Sequence, residues 1–222
     1  MKKLIPLIAG SLLVLAGSAA LAAETAEGEA AKAVGDATAG QQKSATCVAC
    51  HGTDGNSTNP EWPTLAGQHA EYLTKQLQNF KAGASADENS GMVRINQIMN
   101  GMAAGLSDQD MLDLAAYYES QSARGGQTDP ELKDLGERLY RGGDLEREVM
   151  ACIGCHGPRG NGNGPAVFPS IGGQHATYTE NQLKMFRSME RANDPNQMMR
   201  DIAMKLSDPE IKALAAYIQG LH

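Results

Sequence analysis

Residues 47–51 read CVACH and residues 152–156 read CIGCH, and together they use all four cysteines of the 222-residue chain. Three chemistries compete for a Cys-x-x-Cys-His pattern. A structural zinc site can be built from two cysteine pairs, but such pairs lie much closer in sequence than Cys50 and Cys152, and here the metal would have to bridge two repeats. A thioredoxin-like redox pair expects a strand and a helix around it, and neither motif has that context. The third reading uses every residue. Two cysteines three apart each form a thioether with one vinyl group of a porphyrin, and the histidine that follows turns its imidazole to the iron. Two copies with no further cysteine favour two covalently attached haem c groups: Cys47 and Cys50 with His51, and Cys152 and Cys155 with His156.

The duplication extends well past these motifs. Cys47, Cys50 and His51 match Cys152, Cys155 and His156 at a shift of 105. Pro63, Gly67-Gln68-His69, Tyr72, Gln76, Leu77 and Phe80 match Pro169, Gly173-Gln174-His175, Tyr178, Gln182, Leu183 and Phe186 at 106. LSDQDMLDLAAYY from Leu106 matches LSDPEIKALAAYI from Leu206 at 100. The second copy thus gains one residue before Pro169 and loses six between Phe186 and its closing helix, opposite KAGASADENSG (81–91), which reads as a loop. Two copies are too few for a solenoid, so this is a duplicated domain. The first spans 23–121 and the second 131–222, joined by SARGGQTDP (122–130) with its adjacent glycines and proline.

Residues 1–22 read as a signal peptide: Lys2 and Lys3 precede an uncharged apolar run that ends in the small-residue site Ala20-Leu21-Ala22. A retained anchor competes, since residues 4–23 are about the 20 that a spanning helix needs, but Pro6 and the Ala/Gly-rich end favour cleavage before Ala23. Export to a bacterial periplasm puts the thiols in an oxidising compartment, where free cysteines need a reason. Losing two lysines takes the net charge from −7 to −9, a balance that repels nucleic acid and anionic lipid.

Aromatic residues make up only 5% of the chain, with one Trp and three Phe against 25 Gly. Two domains of about 100 residues with so little bulk need help from something other than side chains. The pattern is helical throughout. Ser107-x-x-Asp110 and Ser207-x-x-Glu210 cap the closing helices, the second as a full capping box and the first as a looser version. Behind them Met111, Leu114, Ala115 and Tyr118, and likewise Ile211, Leu214, Ala215 and Ile218, fall on one face. Middle helices are predicted over 70–82 and 176–190 and opening helices over Asp36–Ala45 and Pro130–Tyr140. No stretch alternates with period two, so no sheet is expected.

With these features in place the chain resembles class I cytochromes c, and within them the two-domain di-haem cytochrome c4 family. The resemblance rests on CVACHGTDGN, WPTLAGQHAEYLTKQL, LSDQD and LAAYY in the first half and on GERLYRGG, CIGCHGPRGNG, FPSIGGQHATYTENQL, KLSDPEI and YIQGLH in the second. It implies an all-α fold of two tandem class I cytochrome c domains, each around one haem held between a histidine and a methionine sulfur. It further implies that the carbonyls of Pro63 and Pro169 accept hydrogen bonds from the His51 and His156 rings, fixing their orientation. The haem-bearing faces would meet near a pseudo-twofold axis, with the propionates close together.

Eleven methionines leave the sixth ligand open by composition. At the shift of 100, Met99 falls on Met199, whereas Met92, Met102, Met198 and Met204 fall on Ala192, Ile202, Ile98 and Ala104. Register and resemblance together favour Met99 and Met199, with Met198 and Met102 as close neighbours. Met111 and Met185 read as core fillers. His69 and His175 also recur, but a second histidine would give a much lower potential than a thioether, and both read as partly exposed residues opening the middle helices.

A haem closed on both sides by protein leaves no position for oxygen, peroxide or substrate, so its chemistry is one-electron exchange. The expectation is a periplasmic electron carrier of a respiratory chain, not an enzyme. The resemblance implies a quinol-oxidising complex as donor and a haem-copper terminal oxidase as acceptor, with any membrane association made through them. A charge of −9 suits a partner with a basic docking patch. The alternative is a haem subunit, or an enzyme, of thiosulfate or sulfide oxidation, which no third chemical cluster and no cofactor loop supports.

Overall fold

The computed structural model describes residues 34–85 and 92–221. The signal peptide, its cleavage point before Ala23 and residues 86–91 of the expected loop lie outside the described residues.

The first half runs α1 (Ala37–Lys43), a 3-10 turn (Ser44–Thr46), α2 (Val48–His51), α3 (Ala70–Ala84), α4 (Gln97–Ala104) and α5 (Asp108–Glu119). The second runs α6 (Pro130–Gly142), α7 (Ile153–His156), α8 (Ala176–Arg187), a 3-10 turn (Pro195–Gln197), α9 (Met198–Ala203) and α10 (Asp208–Gln219). Among the described residues the β features are two isolated bridges, Asp144–Val149 and Asn163–Phe168, so the all-α expectation holds.

Local chemistry explains the helix ends. The Asp36 carboxylate accepts the N–H groups of Thr38 and Ala39 at the start of α1, and Asp129 followed by Pro130 starts α6. Asp110 closes its box as fully as Glu210 does. It accepts the Ser107 N–H at 2.9 Å and hydroxyl at 2.6 Å, while its own N–H donates to the Ser107 hydroxyl at 3.1 Å. The middle helices differ from expectation at their ends. The first continues through Ala84, taking the start of the expected loop into the helix. The second stops at Arg187 rather than 190, because Met189 adopts a φ of 65° and turns the chain so that the Arg191 N–H donates to the Met185 carbonyl at 3.0 Å.

In each half the opening helix crosses the closing helix at a glycine. A Cβ on Gly40 would lie 2.0 Å from the Asp113 carbonyl oxygen, and one on Gly136 would lie 2.3 Å from that of Ala213. Only glycine lets the two backbones come this close. The apolar faces predicted for the closing helices are buried: Met111, Leu114, Ala115 and Tyr118 in α5, and Ile211, Leu214, Ala215 and Ile218 in α10. Residues 122–129 are strapped to both halves, with the Arg124 N–H on Asn56 Oδ1 at 2.7 Å and the Gly126 N–H on the Gln219 carbonyl at 3.1 Å.

The six-residue deletion resolves into two steps. Arg94 and Arg191, only 97 residues apart, occupy equivalent places: their N–H groups donate to the carbonyls of Asn79 and Met185 at 3.0 Å each. Their guanidiniums lie 4.6 and 4.5 Å from the ring centroids of Phe80 and Phe186. The second copy therefore loses nine residues before the arginine and regains three after it, where Asp194 and the turn Pro195–Gln197 lead into α9.

Candidate haem sites and the seam between them

The four-residue helices α2 and α7 each end on the motif histidine, and Gly52 and Gly157, with φ of 82° and 77°, turn the chain away behind it. Both rings are 7% exposed. His51 Nδ1 lies 2.9 Å from the Pro63 carbonyl oxygen and His156 Nδ1 lies 3.0 Å from that of Pro169, the contacts implied by the resemblance. A carbonyl only accepts, so Nδ1 carries the proton and Nε2 keeps its lone pair for a metal. Burial lowers both histidine pKa values against the opposing pull of the proline carbonyls, which keeps the imidazoles in the neutral form that ligates.

None of the four cysteines is in a disulfide; Cys155 is exposed and the other three are half-buried. Burial pushes the Cys152 thiol up to about 11, away from the lowered values of reactive redox thiols. Among the described residues no cluster of three or more His, Cys, Asp or Glu side chains could hold a bare metal ion.

Met99 and Met199 are both half-buried and are held alike. The Met99 N–H donates to Asn96 Oδ1 at 3.0 Å and the Met199 N–H donates to Asp194 Oδ2 at 3.0 Å. Met92, Met102, Met198 and Met204 are 37–46% exposed. His69 and His175 precede α3 and α8, but each Nε2 is taken by a carbonyl of the opposite half: Asn161 at 2.7 Å and Ser57 at 2.9 Å. They belong to a seam between the halves whose hydrogen bonds sequence reasoning missed.

The seam has quasi-twofold symmetry. Gln68 takes the Ser170 N–H at 2.9 Å and gives its amide to the Ser170 carbonyl at 2.7 Å. Gln174 does the same with Thr64, at 2.9 Å in both directions. Deeper in, Arg94 donates to Gln76 at 2.8 Å, Gln182 at 2.7 Å and the Tyr178 hydroxyl at 3.1 Å. Arg191 donates to Gln182 at 2.8 Å, the Tyr72 hydroxyl at 2.9 Å and Asn193 at 3.1 Å. The recurrence of Tyr72, Gln76, Tyr178 and Gln182 was visible in the sequence; two glutamines on otherwise buried helical stripes were the signal that those faces meet something polar.

These residues fit a haem at each site. Arg94 and Arg191 are 8% and 6% exposed, and every hydrogen-bond partner they have among the described residues is neutral. Lys75 stands beside them, while the buried carboxylate Asp194 is paired with Arg200 at 2.7 Å. Burying a cation without an anion costs several kcal/mol; the carboxylates that every haem carries would supply the missing charge. Among the described residues the buried Tyr118 hydroxyl has no hydrogen-bond partner, and burial and the neighbouring Cys47 raise its pKa.

A model of the cytochrome c family matches residues 37–122 and 134–222. A cytochrome c4 of Stutzerimonas stutzeri is 53% identical over 193 residues, which covers 86% of this chain and 92% of that protein. A thiosulfate dehydrogenase electron acceptor of Stutzerimonas stutzeri strain A1501 is 38% identical over 216 residues, covering 93% and 94%. The crystal structure of reduced recombinant cytochrome c4 from Pseudomonas stutzeri superposes with a TM-score of 0.82 at 53% identity, over 85% of this chain and 100% of that one.

Proposed function

Because the chain belongs to the di-haem cytochrome c4 family and so carries two haem c groups, we propose that Cys47 and Cys50 anchor the first and Cys152 and Cys155 the second. In this reading His51 and Met99 would hold one iron, and His156 and Met199 would hold the other. The observation that carries it is the matched pair of buried imidazoles, each with Nδ1 committed to a proline carbonyl and with no hydrogen bond at Nε2 among the described residues. Bound haem supplies a one-electron iron couple. The chain's part would be to ligate each iron through these side chains, to exclude water with Leu73 and Phe80 or Leu183 and Phe186, and to set the charge around each centre.

Such a protein is an electron carrier rather than a catalyst. We place it in the periplasm, with residues 1–22 removed before Ala23 and domains over 23–121 and 131–222 joined by 122–130. Among the described residues no helix is long and apolar enough to cross a membrane. A quinol-oxidising complex as donor and a haem-copper terminal oxidase as acceptor remain the first reading. One observation favours a second: a relative 38% identical across nearly the whole chain is named as an electron acceptor of thiosulfate dehydrogenase, which would make that enzyme the donor.

A redox titration with spectra tests the assignment. Two low-spin six-coordinate haems per chain with methionine–iron charge-transfer bands are expected, and no carbon monoxide binding to the reduced native protein. An open coordination position in the native state would overturn it. Stopped-flow mixing with reduced thiosulfate dehydrogenase or with the quinol-oxidising complex separates the two donors by rate.

A further inference from the structure

The two sides of the seam differ in charge at Lys75 and at the mutually paired Asp194 and Arg200. Lys75 on α3 has Asn181 on α8 as its counterpart at the shift of 106. The Lys75 ammonium crosses the seam and donates to the Asn193 carbonyl at 2.6 Å, with Asn79 Oδ1 at 3.2 Å on its own helix. The next residue, Asp194, accepts the Met199 N–H, so a first-half cation is tied to the segment that carries the second half's methionine. Burial, with Arg191 and Arg94 nearby, pushes the Lys75 pKa down to about 8. That is the behaviour of an ammonium in a poorly solvated and already positive place.

Among the described residues no unpaired cation answers it on the other side: of the charged residues Glu61, Lys184, Arg187 and Glu190 around Asn181, Lys184 pairs with Glu180 and Arg187 with Asp208. Asn181 lines a cleft of about 720 Å³ with Trp62, Asn96 and Met185. The capping residue there is neutral Asn96, whose partner Asn100 binds carbonyls of Phe80 and Arg94. In the second half Asp194 and Arg200 neutralise each other. The two arginines sit symmetrically and bias neither side. Lys75 is the cation left over.

We propose that Lys75 sets the two haem centres apart: it lends a positive charge from the first half to the methionine segment of the second, favouring the reduced iron there over the reduced iron in the first. A cation stabilises the centre with one fewer positive charge, and in a desolvated seam the interaction is weakly screened. The inference rests on the ligand assignment proposed above.

The test uses the purified di-haem protein, with each potential assigned to its half by the Met99→His variant, which drags down the first alone. In Lys75→Met the reduced-to-oxidised ratio of the second haem at fixed applied potential should fall roughly ten-fold, with the first moving less than half as much on a logarithmic scale. Lys75→Arg should restore the native values. Asn181→Lys, for which the cleft leaves room, should raise the first haem instead. Equal movement of both haems in Lys75→Met, greater movement of the first, or none while both remain six-coordinate would overturn the inference and leave the ligand assignment standing. Fewer than two six-coordinate haems in the unmutated protein would overturn both.

Discussion

The first half fastens its opening helix to its closing helix with charge, and the second fastens the same crossing with apolar contact. In the first, Lys43 lies between Asp110 at 2.7 Å and Asp113 at 2.5 Å, and Asp113 also accepts the Asp36 N–H at 2.9 Å and the Gln109 amide at 2.7 Å. Counting from Gly40 and Gly136 and from the shift of 100, the positions of Lys43 and Asp113 become Leu139 and Ala213, 1% and 0% exposed. The cores follow suit. Leu139, Tyr140, Val149, Leu183, Leu206, Ile211, Leu214 and Tyr217 form one cluster in the second half, against Leu73, Leu114, Ala115, Tyr117 and Tyr118 in the first. Residues 34–121 carry four basic and ten acidic side chains, while residues 131–222 carry eleven and twelve. One backbone crossing accepts either cement, because the glycine contact sets the geometry before side chains do.

The strongest way to break the equivalence is at the irons. Met99→His and Met199→His should each lower one potential by a sizeable part of the ~0.8 V that axial ligands span, leaving the other nearly in place. A pair of unchanged potentials in either variant removes that methionine from its site. Next in size come the crossings. Gly40→Val and Gly136→Val each drive a side chain into a carbonyl, and each should cost about 3 kcal/mol, read by chemical denaturation. Leu139→Ala should cost about as much but confine its effect to the second half.

The smallest effect is on pH dependence. The Asp36 N–H and the Lys43 ammonium hold the Asp113 carboxyl down at about 2, against about 3.9 for an unperturbed aspartate. The unfolded chain takes up this proton first, so the stability Asp113 brings is complete above about pH 4 and lost as pH falls toward 2. Glu210, held at about 2 by Arg147, titrates in the same window but at the rim of the second half. Amide protection in α5 should therefore fall before that in α10 on acidification, and Asp113→Asn should remove the difference. Simultaneous loss in both helices would show that the ion pair does not distinguish the halves.

Much of this architecture was legible in residue order. Both glycine-terminated motifs, the capped closing helices and their buried faces lie in short segments whose spacing survives the duplication intact. The arginines of the seam were not legible, because matching at one fixed shift sets Arg94 opposite Asp194 rather than Arg191, and compensating gains and losses of chain conceal the pairing. The glutamines were seen only as part of the repeat: Gln68 and Gln174 recur at the shift of 106, and nothing local reveals a partner about a hundred residues away. Lys43 and Leu139 could not be matched from sequence at all, as a salt bridge and a leucine share no pattern.

The glutamine clasp also bears on how the two copies could drift apart. Gln68 and Gln174 bind main-chain N–H and carbonyl groups of Ser170 and Thr64, so the identity of the residue on the receiving side hardly matters, and serine and threonine already differ there. What matters is the count of residues within each half between the receiving residue and that half's own glutamine, four from Thr64 to Gln68 and four from Ser170 to Gln174. From Pro63 to Phe80 and from Pro169 to Phe186 the spacing is the same, while every insertion and deletion falls outside it. The clasp works as a ruler: it leaves composition free to wander and holds length fixed.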